Sequence, residues 1–146
     1  MKINKSLVIC DLANSFALPS CYIIYLTSGS NINTIDLVII GFIHMGLLLY
    51  VMGRWLNDPF YIEIYHYCLG IQAFLIPLLV NYRELLLWHI LFIIFTLATR
   101  KIFRGCIVRN VERDNPVTNN EFTKLFNWDL IFPALGVISA VKLYKN

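Results

Sequence analysis

Glu63-Ile-Tyr-His66 carries a carboxylate and an imidazole three residues apart, the spacing that sets two metal ligands on one helix face. A di-metal bundle needs two such motifs plus two further glutamates on facing helices, and this sequence holds one copy. The pair therefore reads as a local hydrogen bond, and no metal is expected. His44 and His89 are the remaining imidazoles, and two histidines on different helices can hold a haem. Their expected depths differ by about five residues, or about 7 Å along a helix axis. That offset disfavours bis-histidine ligation and leaves His44 as the haem candidate; no other cofactor is expected. Gln72 and Thr96 fall near the depth of His44 and are positioned to share hydrogen bonds with it, whereas His89, beside Trp88, reads as an interfacial residue.

Asp11, Glu63, His66 and Asp129 all fall one to two turns from the same expected membrane boundary, and Arg54 and Arg100 lie at that boundary. Ionisable groups in hydrocarbon cost roughly 2.5–3.5 kcal/mol on insertion scales, so they face partners or wet cavities. Two arrangements satisfy this. The carboxylates pair with the boundary arginines and hold helices in register, or the set forms a binding site for a cation, a proton or a polar headgroup.

The four cysteines, Cys10, Cys21, Cys68 and Cys106, form no C-x-x-C pair and no zinc spacing. The first three sit in apolar runs as small packing residues. Cys106 follows a span, between Arg104 and Arg109, a setting compatible with reversible palmitoylation. No glycine-rich phosphate loop, nucleophile elbow or H-E-x-x-H motif is present, so the sequence supplies no catalytic set.

The elements that position these residues follow from composition. Of 146 residues, 58% are hydrophobic and 14% charged, about half the charge of an ordinary soluble domain. This excludes a disordered chain and a disulfide-stapled secreted domain, and it predicts an all-α, polytopic transmembrane helical bundle in a single integral membrane domain. A span takes roughly 20 apolar residues. Five stretches qualify as membrane helices, over 6–27, 35–54, 59–80, 85–104 and 121–144; the last, with a short apolar part, reads alternatively as an interfacial helix after four spans. Asn33-Thr34 with Asp36 marks one start, Asn57-Asp58-Pro59 another, and Thr118-Asn-Asn-Glu121 reads as a capping box for the last. Pro77 predicts a kink in the third span. Gly41, Gly46 and Gly53, and the Gly136-x-x-x-Ala140 pair, suit close helix approach.

Asp11 and Asn14 interrupt the apolar stretch behind Lys2 and Lys5, so this segment reads as a first span rather than a cleaved signal. With the N-terminus inside and five spans, nine of the 12 Lys and Arg residues fall inside, and Arg83, Lys142 and Lys145 fall outside. Six of the nine lie between Arg100 and Lys124, a segment suited to anionic headgroups or a cytoplasmic partner. The basic residues lie between hydrophobic spans rather than on an aromatic-rich surface, so nucleic acid is not an expected partner. These features point to a non-enzymatic structural or accessory subunit of a larger membrane assembly, associating with other subunits or with itself. The alternatives are a small channel or transporter built on the inner-boundary cluster, and a haem-binding membrane anchor.

Overall fold

The computed structural model describes residues 5–28, 32–103, 106–108 and 127–145, and its elements are all helical: α1 (Lys5–Ser28), α2 (Thr34–Leu56), α3 (Pro59–Leu79), α4 (Arg83–Phe103) and α5 (Trp128–Lys145). The first four are long and apolar enough to cross a bilayer. Among the described residues the protein is thus an all-helical bundle with four candidate membrane spans.

Local chemistry sets the helix ends. The Asn33 side chain accepts the Asp36 amide at 2.8 Å at the start of α2, satisfying a donor that has no partner inside the helix. Asp36 lies in that first turn, where a carboxylate suits the helix dipole, and it also accepts the Asn81 amide at 3.2 Å. It is 2% exposed, so this carboxylate ties the start of α2 to the α3–α4 turn from inside the protein. At the other end of α2, Asn57 takes a left-handed conformation (φ 53°), which an asparagine tolerates. The next two residues restart the helix. Asp58 accepts the Phe60 amide at 3.0 Å, and Pro59 occupies the first turn, where it gives up no hydrogen bond. Helix α3 continues through Pro77 to Leu79.

Helix α3 is central, packing on α2, α4 and α5, while α1 packs on α2 and touches α4. One apolar core joins α1–α4 through Cys10, Cys21, Ile43, Leu47, Ile76 and Leu85. A second, around Ala73, Ile93, Phe132 and Leu135, seats α5. Helix α1 is the least buried of the four spans.

Helix α5 starts at Trp128, with the Asn127 carbonyl accepting the Leu130 and Ile131 amides at 3.0 Å. The expected start at 121 and the Thr118–Glu121 capping box lie outside the described residues. The 18 residues of α5 span about 27 Å, slightly less than the hydrocarbon core, and include Asp129, Lys142 and Lys145. Its contacts with α4 run in opposing order: Ser139 meets His89, Gly136 faces Ile93, and Asp129 meets Arg100. Helix α5 therefore lies antiparallel along α4, and Lys142 donates to the Leu78 carbonyl at 3.3 Å near the end of α3.

The glycines divide by what they face. A Cβ at Gly53 would stand 2.7 Å from Ile62 Cγ1, and one at Gly46 3.0 Å from Gln72 Nε2, so α2 and α3 approach closely at both points. Gly41 faces open space. On α5, Gly136 packs on Ile93 and Ala140 is exposed.

Candidate functional site

The six residues expected at one membrane boundary enter two interhelical clamps and two further contacts. In the first clamp, Asp11 of α1 accepts from two α2 side chains. Tyr50 donates its hydroxyl to Oδ1 at 2.5 Å, and Arg54 donates Nε to Oδ1 at 2.9 Å and Nη2 to Oδ2 at 3.2 Å. The two-pronged approach fits the guanidinium fork to the carboxylate. Tyr50 and Arg54 are four residues apart, so the helix stacks both donors on one face. The Asp11 and Arg54 side chains are 40% and 33% exposed, so the pair is not sealed inside the bundle.

A neutral network continues from this clamp. Asn14, three residues beyond Asp11, accepts the Tyr65 hydroxyl of α3 at 2.6 Å and donates to the Cys10 carbonyl at 2.8 Å. The Tyr50 and Tyr65 rings are 5.0 Å apart. Asn14, Tyr50 and Tyr65 are buried, so α1, α2 and α3 are joined through satisfied polar groups.

The second clamp joins α4 to α5, with Arg100 Nε donating to Asp129 Oδ1 at 2.9 Å. The Asp129 side chain is 72% exposed, and water and salt screen pairs of this kind. Asp129→Asn is therefore expected to cost less than about 1 kcal/mol of stability, a small shift in the thermal unfolding of the purified protein.

Glu63 and His66 occupy neither clamp. Glu63 accepts from Tyr67 at 3.4 Å, one turn along its own helix, and His66 Nε2 lies 3.3 Å from Cys106 Sγ. Among the described residues, Asp11 meets Arg54, Asp129 meets Arg100, Glu63 meets Tyr67 and His66 meets Cys106. No group of three or more potential metal ligands occurs among the described residues. Of the basic segment 100–124, residues 100–103 and 106–108 are described; there Arg100 is committed to Asp129 and Lys101 is exposed.

The histidines at membrane depth turn to different helices. His44 Nδ1 lies 3.0 Å from the Ile40 carbonyl and 3.7 Å from Cys21 Sγ, and its ring meets the edge of Tyr22, so it faces α1. His89 is fully buried, with Nδ1 2.8 Å from Ser139 Oγ of α5. Helix α5 covers that face of α4, so His89 packs inside the bundle. Nor does Gln72 join His44: its amide lies over Gly46, and the Nε2 atoms of Gln72 and of both histidines find no hydrogen-bond partner among the described residues. Trp88, expected at the outer boundary, donates Nε1 to Ser20 Oγ at 3.1 Å and latches α4 to α1.

Asp11, Arg54, Arg100 and Asp129 stand out in the sequence, whereas Tyr50, Tyr65 and Ser139 do not. A helical-spacing argument reaches Tyr50, one turn before Arg54 on the face that must meet Asp11. Tyr65 and Ser139 carry no such local signal, since an aromatic or a serine in an apolar run fits a dozen packing roles. No family model matches the sequence, and no curated protein or solved structure matches it, so the helix arrangement and the paired charges are the observations on which function rests.

Proposed function

We propose that this chain is a five-helix membrane protein, with its N-terminus on the cytoplasmic side, that acts as a non-enzymatic structural or accessory subunit of a larger membrane assembly. The observation carrying this reading is that Asp11 and Asp129 close on Arg54 and Arg100 of neighbouring helices. Charges committed to each other in this way set helix register, and they do not line a continuous polar path. The antiparallel seating of α5 on α4 supports a fifth crossing, and the lysine and arginine balance of nine inside supports the orientation. Helix α1 presents Leu12, Phe16 and Ile23 at its surface, an apolar face suited to lipid or to a neighbouring subunit. The 100–124 segment would engage anionic headgroups or a cytoplasmic partner.

The test is reconstitution. Proteoliposomes of the purified protein are expected to pass no more Na+, K+ or H+ than protein-free vesicles, and gentle extraction from the native membrane is expected to retain one defined companion in fixed ratio. Ion flux that disappears in the Asp11→Asn, Glu63→Gln variant would overturn this in favour of a channel or transporter. A Soret band lost in His44→Ala would overturn it in favour of a haem-binding anchor.

A further inference from the structure

We propose that Cys106 is a fatty-acylation site, with His66 as the base that activates its thiol and a long-chain acyl-CoA as the acyl donor. The proposal rests on a nucleophile–base pair brought together from distant parts of the chain and placed where an acyl chain has somewhere to go. Cys106 Sγ lies 3.3 Å from His66 Nε2, within reach for proton transfer, although 40 residues separate them. Cysteine reacts as the thiolate, and a neighbouring imidazole that takes the proton raises its reactivity.

Position supplies the second argument. Cys106 comes three residues after Phe103, the last residue of α4 and of the fourth candidate span. Ile107 and Val108, 7% and 3% exposed, anchor the segment in the core shared with α1 and α3 and hold the sulfur against His66. Ile102, on the last turn of α4 four residues before Cys106, is 71% exposed, so an apolar side chain near in sequence is open to lipid. Cys106 itself is half-buried, whereas Cys10, Cys21 and Cys68 are 3%, 0% and 5% exposed. Cys21 and His44 form an internal comparison. They are the same two residue types at 3.7 Å, but the Cys21 thiol is 0% exposed, out of reach of a donor in solution.

The step balances without an oxidant or reductant. The Cys106 thiol proton passes to His66 Nε2, and the thiolate attacks the thioester carbonyl of the acyl-CoA. That attack forms the Sγ–C bond of a tetrahedral intermediate, and its collapse re-forms the carbonyl, breaks the acyl–sulfur bond of the donor and expels the CoA thiolate, which takes the proton from His66. This inference does not depend on the accessory-subunit reading, since a channel or an anchor would be acylated by the same chemistry.

The test uses the full-length purified protein in phosphatidylcholine proteoliposomes with palmitoyl-CoA at neutral pH. The expected result is one hydroxylamine-labile palmitoyl group per chain, mapped by peptide mass spectrometry to Cys106 and absent in Cys106→Ser. In His66→Gln the acylation rate is expected to fall by roughly 100-fold, with the remaining rate rising only toward alkaline pH, as an unassisted thiol's does. A merely structural His66 would not move that pH profile. A palmitoyl group on Cys10, Cys21 or Cys68 in place of Cys106, no addition at all, or an unchanged rate and pH profile in His66→Gln each overturn the proposal. If His66→Gln does not fold, the wild-type pH profile decides: a rate already substantial at neutral pH supports the assisted thiol, and a purely alkaline rise overturns it.

Discussion

Asp11→Ala is expected to destabilise the detergent-solubilised protein by about 1–3 kcal/mol, the range for losing hydrogen bonds to a charged group. The carboxylate is the shared acceptor for the Tyr50 hydroxyl and two Arg54 nitrogens, so one truncation leaves three donated bonds unmade. Two effects keep the loss below the roughly 3–5 kcal/mol of a sealed ion pair. The pair is 33% and 40% exposed, so water screens part of its attraction. The long Arg54 stem can also lift its charge toward headgroups once its partner is gone. Tyr50 has no such escape: it is 2% exposed, and its hydroxyl stays inside. Asp11→Asn keeps a carbonyl oxygen for Tyr50 but loses the charge facing Arg54, so its effect is expected to be smaller than that of alanine. Reversible unfolding in SDS–detergent mixtures, followed by helicity, gives these differences. A double-mutant cycle with Arg54→Ala is expected to show that the two losses overlap by about 1 kcal/mol. If Asp11→Ala unfolds at the wild-type SDS fraction, the clamp contributes nothing and α1 is held by apolar packing alone.

The parts of this arrangement that a sequence can display are those decided within a few residues. The starts of α2 and α3 were legible because Asn33 and Asp58 act on amides three and two residues away, and Pro59 has no amide hydrogen to leave unpaired. The arginines and carboxylates can be grouped by expected depth, because depth along a helix follows from counting residues. Partner choice was not legible, because it depends on how each helix is rotated about its axis. Apolar residues surround the spans on all sides, so the periodicity that reveals the inward face of a soluble helix is blurred here. Rotation is why His89, one residue from Trp88, is fully buried against Ser139 while Trp88 reaches Ser20 on α1. It is also why Glu63 and His66, on one helix at metal-ligand spacing, contact Tyr67 and Cys106 respectively. Asp36 shows the same limit in another form. Its place in the first turn of α2 was local information, but its bond to the Asn81 amide needed the α3–α4 turn to fold back over it.

Gly53→Ala is expected to cost about 1–3 kcal/mol, the range for overpacking a well-filled interior. The new Cβ would stand 2.7 Å from Ile62 Cγ1, 3.1 Å from the Ile62 backbone nitrogen and 3.2 Å from Tyr61 Cβ. The first clash belongs to a side chain that is itself 8% exposed and has little room to turn. The second is with backbone, which yields only if the whole start of α3 moves away from α2. Gly46→Ala meets Gln72 Nε2 at 3.0 Å and Cys68 Cβ at 3.2 Å, and the amide is the far end of a flexible side chain, so its cost is expected to be smaller. Gly41 meets nothing within 4 Å, so alanine there is expected to be neutral or to gain up to about 1 kcal/mol from helix propensity. The SDS fraction at half-unfolding is therefore expected to rank Gly41→Ala at or above wild type, then Gly46→Ala, then Gly53→Ala. Adding Ile62→Ala to Gly53→Ala removes Cγ1 but leaves the backbone contact, so it should restore part of the helix approach at the expense of Ile62's own packing. The two changes are then coupled rather than additive. Equal midpoints for Gly41→Ala and Gly53→Ala would mean that α2 and α3 do not approach closely at their connecting turn. Helix α3 would then lose the contact that fixes its rotation, and with it the placement of Tyr65 on Asn14 and of His66 on Cys106.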